Sequence, residues 1–120
     1  MMRIMLKSKI SQATVIEAEL YYKGSITIDE VLMQAADLYA GERVDVLNLN
    51  NGMRIQTYVI AGKKNSGTIC LNGPAARAGY KGDKLMIISY AVYSQDEQDA
   101  YKAKYVELDD HNKIKNSYLA

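Results

Sequence analysis

Apolar and polar residues alternate along much of this chain, and such a period of two is typical of β-strands with one buried face. The alternation runs from Arg3 to Ile10 and again from Ala13 to Ala18. Two further alternating runs, 43–49 and 53–61, flank the tripeptide Asn50-Asn51-Gly52. Because Asn-Gly between two such runs is a strong hairpin signal, we expect these runs to pair.

The second half of the chain continues in the same way. We expect a strand from Gly67 to Leu71 and then a short helical turn starting at Pro74, since proline is favoured at the first helical position. A Gly82-Asp83 turn leads into Lys84 to Val92, whose nearly unbroken apolar character predicts a strand buried on both faces. The segment from Lys104 to Ala120 predicts a strand followed by a loose tail.

Few and short helices are expected. Thr27-Ile28-Asp29-Glu30 fits a capping box, and the apolar residues up to Leu38 follow helical spacing. Gly41 would end this helix in a left-handed conformation. A second, acidic helix is expected from Ser94 to Lys102. Many short strands with few helices predict a mainly β fold, a barrel or a sandwich, and a closed barrel leaves no exposed strand edges.

Composition restricts the function classes. A chain of 120 residues forms one domain, and its 48% apolar and 24% charged residues are ordinary for a soluble globular protein. The net charge of +1 gives no electrostatic footprint for nucleic acid or an anionic membrane. No apolar run approaches the length of a membrane span, and Lys7 and Lys9 interrupt any signal-like segment, so we expect a cytoplasmic protein.

The usual catalytic side chains are scarce. The one cysteine, Cys70, excludes an intrachain disulfide and a cluster of thiolate metal ligands, and its apolar surroundings predict a buried, inert thiol. The one histidine, His111, lies in a polar turn, where it is a poor catalyst or ligand. If the chain is an enzyme, it works without histidine-based machinery.

The dipeptide Gly24-Ser25 admits two interpretations. It fits an ordinary turn, and it also fits a backbone bond that the protein cuts for itself. Glycine before the bond reaches backbone angles that other residues avoid, and serine after it supplies an attacking hydroxyl.

Four segments in order, 5–9, 22–29, 50–58 and 69–77, favour the second interpretation. The chain resembles the aspartate 1-decarboxylase family, whose members depend on a pyruvoyl group. The resemblance covers all but about the last thirty residues, and these segments carry it. It implies a six-stranded double-psi β-barrel over residues 1–120, a homotetramer, and cleavage between Gly24 and Ser25 into 1–24 and 25–120. The implied reaction converts L-aspartate to β-alanine and carbon dioxide for pantothenate and coenzyme A biosynthesis.

The resemblance also implies how the chain matures. The Ser25 hydroxyl attacks the Gly24 carbonyl, and elimination and hydrolysis leave a pyruvoyl group at the new N-terminus. Thr57 would assist through a hydrogen bond near the Gly24 carbonyl. The pyruvoyl carbonyl forms an imine with the substrate amine and accepts the electrons left by carbon dioxide, so neither a metal nor pyridoxal phosphate is expected.

Further family residues imply a substrate site. Arg54 would pair in bidentate fashion with the side-chain carboxylate of aspartate, Lys9 would be a second cation, and Tyr58 would return a proton to the α-carbon. Thr57 is also implied in substrate binding. Because side chains alternate along a strand, Arg54 and Tyr58 share a face and Thr57 faces the other way unless the strand bulges.

The remaining implied site residues lie near the cleavage point. Tyr22 would support it, and the pocket would be lined by Asn72, Gly73, Ala75 and Ala76. Two positions depart from the family pattern: Ser11 stands where many members carry histidine, and Pro74 where alanine is usual. Neither removes a group that the reaction requires.

Two alternatives remain open. One is a non-catalytic barrel that binds peptide or nucleic acid, since one fold can host many functions. The other is a relic that never matures. A further open question is whether cleavage is spontaneous or needs a maturation partner.

Overall fold

Nine β-strands, two short α-helices and one 3₁₀ helix form the computed structural model, which describes residues 1–22 and 24–120. Lys23, which belongs to the matched cleavage motif, lies outside the described residues. The strands are β1 (Arg3–Thr14), β2 (Glu17–Glu19), β3 (Ser25–Asp29), β4 (Arg43–Asn48), β5 (Arg54–Gly62), β6 (Ile69–Asn72), β7 (Lys84–Tyr93), β8 (Lys104–Leu108) and β9 (Ile114–Leu119). The helices are α1 (Glu30–Ala35), the 3₁₀ helix Gly73–Ala78 and α2 (Gln95–Asp99).

The strands form one hydrogen-bonded sheet in the order β2-β6-β3-β5-β4-β7-β1-β8-β9. The sheet closes on itself because β2 continues β1 after two residues, and the Ile16 amide between them donates to the Ile69 carbonyl of β6 (2.9 Å). The mainly β barrel class is therefore confirmed. The expected count of six is not reproduced, since β1 and β2 are separate strands and β8 and β9 extend the ring.

The N-terminal segment differs from the prediction. One strand, β1, runs through to Thr14, with register shifts against β7 between Leu6 and Ser8 and between Ile10 and Ala13. Gln12 has a φ of 61°, a conformation that accommodates the second irregularity. The interruption of apolar alternation after Ile10 therefore marks an irregular strand and not its end.

The predicted hairpin is confirmed. β4 and β5 pair antiparallel, and the Gly52 amide donates to the Asn48 carbonyl (2.9 Å) with Gly52 at a φ of +74°. The register from Arg43–Tyr58 to Leu47–Arg54 has no shift. Arg54 and Tyr58 consequently share the exposed face of β5, and Thr57 belongs to the half-buried face.

The predicted boundaries of the first helix are wrong. Its N-cap is Asp29, whose carboxylate accepts from the Val31 amide (2.9 Å), and Thr27 takes no part in a capping box. The helix ends at Ala35 with Ala36 as its C-cap, because Asp37 already has a left-handed φ of 54°. Gly41 lies in the turn before β4.

The C-terminal half contains one confirmation and two corrections. The acidic helix forms as α2, with a capping box between Ser94 and Glu97. Residues 114–119 are not a loose tail, since β9 pairs with β8 and the Tyr105 and Tyr118 rings stack 5.1 Å apart. β7 is buried mainly in its first half, and its end alternates between exposed and half-buried positions.

The core fills the ring. Its fully buried side chains come from nearly every barrel strand, and they include Ile10, Ile26, Ile28, Val44, Val59, Ile69, Leu71, Leu85 and Ile87. This packing fixes the ends of β3 and β6, where the candidate site lies. Within the described residues, no helix is long and apolar enough to cross a membrane.

Candidate active site

Ser25 opens β3 and is fully buried, at 0% exposure. It pairs with Asn72, the last residue of the antiparallel strand β6. The Asn72 Nδ2 atom donates to the Ser25 Oγ (3.0 Å) and to the Thr27 Oγ1 (2.9 Å). Ser25 and Thr27 are two residues apart and share a strand face, so one amide group serves both hydroxyls.

Cys70 completes this group from two residues before Asn72. Its Sγ atom lies 3.1 Å from the Asn72 Oδ1 and 4.0 Å from the Leu71 carbonyl oxygen. The thiol is buried, as predicted. Burial raises its pKa, and the nearby Glu17 and Glu19 carboxylates act in the same direction. The sulfur therefore carries its proton at neutral pH.

The loop after β6 packs against the backbone around Gly24. Gly73 has a φ of +62°, and a Cβ built there would lie 2.4 Å from the Tyr22 carbonyl oxygen and 2.8 Å from the Gly24 nitrogen. The Pro74 ring approaches from the same side, with its Cδ 3.3 Å from the place where a Gly24 Cβ would be. The two glycines thus permit a close contact between the loop and the candidate cleavage point.

A cavity of about 390 Å³ opens beside Gly24. We call it the Gly24 cavity, and its lining residues are Gly24, Ile55, Gln56, Thr57, Tyr58, Pro74 and Ala75. β3 and β5 run parallel with Ile26 opposite Val59, which places Ser25 next to Tyr58 across the strands. The structure therefore brings Thr57, Tyr58 and Ala75 to the cleavage point although Thr57 and Tyr58 belong to opposite faces of β5.

Comparisons with known proteins identify the family. The aspartate decarboxylase family matches residues 1–115. The chain belongs to the aspartate decarboxylase family. The predicted resemblance is thereby confirmed, and so is the prediction that the chain is an enzyme of the decarboxylase class.

Individual relatives cover nearly the whole chain. An aspartate 1-decarboxylase of Caldicellulosiruptor bescii is 57% identical over 91% of this chain and 85% of its own length. Those of Clostridium beijerinckii and Syntrophus aciditrophicus are each 53% identical, over 96% and 97% of this chain and 93% and 100% of their own. A solved structure, the rationally designed mkDPBB_sym_86 protein, has a TM-score of 0.49 and 15% identity over 64% of this chain and 90% of that one.

In this aspartate decarboxylase family member, Arg54 does not line the Gly24 cavity but a neighbouring one, and Gln56 lines both. Its Nε and Nη2 atoms donate to the Asp45 Oδ2 (3.2 and 2.8 Å), and its Nη2 also donates to the Tyr90 hydroxyl (3.1 Å). The hydrogen bond to Asp45 is the main cause, and that to Tyr90 the second, of a raised Arg54 pKa. Arg54 lines a second cavity of about 490 Å³, the Arg54 cavity, with Ile4, Arg43, Asp45, Gln56, Tyr90, Ala91 and Val92.

Lys9, Ala76 and Tyr22 do not line the Gly24 cavity either. Lys9 lies on β1 with its Nζ 5.8 Å from the Tyr105 ring centroid. Ala76 lines a separate cavity together with Arg77. Tyr22 has a 55% exposed side chain and approaches the site through its backbone carbonyl. Within one chain neither Arg54 nor Lys9 therefore lines the cavity beside the candidate cleavage point.

Three contacts were missed from the sequence. Asp45 and Arg54 lie diagonally across the predicted hairpin, so that signal was present in the spacing of charges around Asn-Gly. The thiol contact of Cys70 and the close approach of Gly73 depend on how β6 meets β3, and no local pattern reveals this pairing. Within residues 1–22 and 24–120, no three His, Cys, Asp or Glu side chains form a possible metal site.

Proposed function

We propose that this chain is a self-processing L-aspartate decarboxylase that forms β-alanine and carbon dioxide for pantothenate and coenzyme A biosynthesis in the cytoplasm. The bond between Gly24 and Ser25 is cut to give residues 1–24 and 25–120, and Ser25 becomes the pyruvoyl group. The supporting observation is the buried Ser25 hydroxyl next to Gly24, held by Asn72 (3.0 Å), in a member of this family.

Maturation proceeds in three steps. The Ser25 Oγ attacks the Gly24 carbonyl carbon and the peptide C–N bond breaks, which leaves an ester and a free amine. The ester then loses the Ser25 α-proton and its Cβ–Oγ bond, so that Gly24 departs as a carboxylate and dehydroalanine remains. Water replaces the nitrogen of its imine tautomer, ammonia leaves, and a keto group results.

Described residues favour the attack. The contact of Gly73 with the Tyr22 carbonyl and Gly24 holds the backbone before the scissile bond. Thr57 borders the Gly24 cavity, where its hydroxyl can donate to the oxygen of the attacked carbonyl. Asn72 donates to the attacking oxygen itself, which requires Ser25 to direct its own proton elsewhere.

The residues at this position suit a pyruvoyl group. Its two oxygens are hydrogen-bond acceptors, and the neighbouring Asn72 Nδ2 is a donor that already serves an oxygen there. When formed, the group condenses with the substrate amine and withdraws the electrons released with carbon dioxide. Tyr58, 39% exposed and beside Ser25 across the strands, would supply the proton to the α-carbon.

Substrate binding would use more than one protomer. Arg54 precedes Tyr58 by four residues on β5, a strand distance of roughly 13 Å. Exposed apolar and aromatic side chains surround the Arg54 cavity, namely Ile4 (75%), Val92 (54%) and Tyr90 (43%). We propose that Arg54 and Lys9 of one protomer serve the Gly24 cavity of a neighbour in the homotetramer.

Intact mass and denaturing electrophoresis of the purified chain test the cleavage. We expect fragments 1–24 and 25–120, the larger blocked by a keto group. Ser25→Ala should stay whole and inactive because the attacking oxygen is gone, while Ser117→Ala, a substitution on exposed β9, should be cleaved normally.

A parent chain that stays whole would contradict spontaneous cleavage. The same assay with cell extract then separates the two remaining cases. Cleavage that appears only with extract indicates a maturation partner, and none at all indicates a relic.

A further inference from the structure

Cys70 has no role in the maturation steps above, yet its sulfur lies within hydrogen-bonding distance of the Asn72 Oδ1, at 3.1 Å. We propose that Cys70 is a positioning residue, whose thiol proton holds the Asn72 amide with its NH₂ group toward Ser25. This proposal rests on the proposed self-cleavage at Ser25.

The hydrogen-bonding capacity of Asn72 supports this role. Its NH₂ group has two protons, and the Ser25 and Thr27 hydroxyls take one each. Its carbonyl oxygen accepts from the Cys70 thiol, which is a donor because burial raises its pKa. If the amide were flipped, an N–H would face sulfur, a weak acceptor, and the amide oxygen would face Ser25.

The direction of the amide matters most in the elimination step. There the Cβ–Oγ bond breaks and the Ser25 Oγ leaves as part of the Gly24 carboxylate, so negative charge develops on this oxygen. An N–H donor at Oγ becomes stronger as the charge grows and therefore lowers the barrier. A carbonyl oxygen in the same place would repel the charge. Cys70 would thus act on the reaction through Asn72 without touching the reacting atoms.

Water has little access to the contact between Cys70 and Asn72. Cys70 is 8% exposed and Asn72 4%, so water is a poor replacement for the thiol proton. Both flanking residues, Ile69 and Leu71, are fully buried in the core and hold the strand in place. A change confined to the donor at position 70 should therefore be felt by the amide and not by the strand.

A matched pair of substitutions distinguishes the effect of losing the hydrogen-bond donor from the effect of losing side-chain volume. Cys70→Ser and Cys70→Ala both remove the sulfur, but the serine retains a donor. We expect the serine variant to mature within about twofold of the parent and the alanine variant to mature about three- to tenfold more slowly, the effect of one neutral hydrogen bond. Neutral hydroxylamine, which cuts esters, should cleave more of the uncut alanine variant than of the parent, since the ester waits for elimination.

Two results of this pair would overturn the proposal. One is an alanine variant that matures as fast as the serine variant. The other is a pair that is equally slow, because this would assign the effect to lost packing. Thermal unfolding of both variants, with Ile69→Val as a core control, shows whether they are folded.

A spectroscopic measurement does not depend on cleavage or on a substitution at position 70. The chain has a single cysteine, so the infrared S–H stretching band reports Cys70 alone. In uncleaved Ser25→Ala protein, we expect this band at the lowered frequency of a donating thiol, and the further change Asn72→Ala should raise it. An unchanged band would overturn the proposal. Failure of the parent chain to cleave would contradict the proposed function. The infrared measurement would still test the contact between the Cys70 thiol and Asn72.

Discussion

Gly73 shows how the absence of a single methyl group can shape a reactive site. Its φ of +62° is reached easily by glycine, and the carbonyl oxygen of Tyr22 lies 2.4 Å from where a Cβ would be. Any side chain there would push back the backbone that leads into the proposed scissile bond. The family resemblance implies that Gly73 lines the substrate pocket, and the structure adds this steric requirement.

We therefore expect Gly73→Ala to slow maturation by at least tenfold and to lower the free energy of unfolding by more than the ~1–2 kcal/mol of left-handed strain. Gly52→Ala is the matched control, because Gly52 has a similar φ of +74° but nothing within 4 Å of its Cβ position. The free energy of unfolding of Gly52→Ala should fall only by this strain energy, and the variant should mature normally. Chemical denaturation and time courses of cleavage measure both effects, and equal behaviour of the two variants would refute the steric argument.

Arg54 illustrates a side chain whose charge is balanced before substrate arrives. Its Nε and Nη2 atoms bind Asp45, which is 7% exposed, and the Tyr90 hydroxyl shares Nη2. Such contacts orient a guanidinium and leave the Nη1 end to form a bond with a carboxylate.

Arg54→Ala should leave maturation largely intact yet reduce kcat/KM for aspartate by about a hundredfold, since the charge-assisted hydrogen bond from the Nη1 end to the substrate carboxylate is lost. The bidentate pairing implied by the resemblance is not available, because Nε and Nη2 already bind Asp45 and Tyr90. Arg54→Lys should recover only part of it, because an ammonium lacks the planar fork. Arg43→Ala, a change in the same cavity, is the control. Steady-state kinetics on fully cleaved protein decides, and unaltered kcat/KM in Arg54→Ala would remove Arg54 from the substrate site.

Two turns are built around aspartate side chains. The Asp83 carboxylate accepts from the Tyr80 amide and from Asn48, both at 2.9 Å, and these bonds lower its pKa. Asp109 accepts from the Lys113 and His111 amides in the β8–β9 turn, and its pKa is lowered for the same reason. A carboxylate with a lowered folded pKa stabilises the fold above its unfolded value and loses this contribution as pH falls through the folded value.

We expect the free energy of unfolding to decrease as the pH falls below about 4, the ordinary range of an aspartate pKa. Asp83→Asn and Asp109→Asn should each flatten this decrease, since the titrating group is gone, while Asp96→Asn on exposed α2 should not. Urea denaturation between neutral and acidic pH measures the slope. An identical slope in the parent and both turn variants would show that these carboxylates contribute no acid sensitivity.

The elements that local chemistry defines were predictable. Asn-Gly gave the β4–β5 hairpin, Pro74 the 3₁₀ helix and Ser94 the cap of α2. Where long-range contacts decide, the prediction failed. All of β9 is exposed, so its pattern carries no core signal, and it is ordered by pairing with β8. The first helix stops early because Asp37 adopts a left-handed conformation. Aspartate can adopt this conformation, but its presence in the sequence does not show that it will.

Residues that lie close together in one sequence motif line different cavities in the folded molecule. Segment 50–58 contains Arg54, Thr57 and Tyr58, but Arg54 lines one cavity and both Thr57 and Tyr58 line the other. A sequence motif records which residues act together and not which copy of the chain supplies them. The candidate site was therefore predictable in its membership and not in its assembly.

Co-expression of two inactive chains tests this assembly. Ser25→Ala lacks the reactive group and Arg54→Ala lacks the cation, so neither should be active alone. If a site combines residues from neighbouring protomers, mixed oligomers should recover a measurable fraction of parental activity, up to about one quarter for random pairing of two chains at each interface. Mixing the two separately purified, intact oligomers without dissociation is the control, and no recovery in verified mixed oligomers would place each site within one protomer.

The long first strand has a consequence for the finished molecule. Residues 1–24 supply β1, which lies between β7 and β8, and β2, which lies beside β6. If the proposed cleavage takes place, this short peptide remains paired within the ring, and the product is a two-piece complex without a covalent link. Renaturation then depends on the concentration of both pieces, and the uncut form alone can fold by a first-order process. Cleavage would thus turn a chain that can refold by itself into a two-piece complex. At low concentration, such a complex does not reassemble after thermal unfolding.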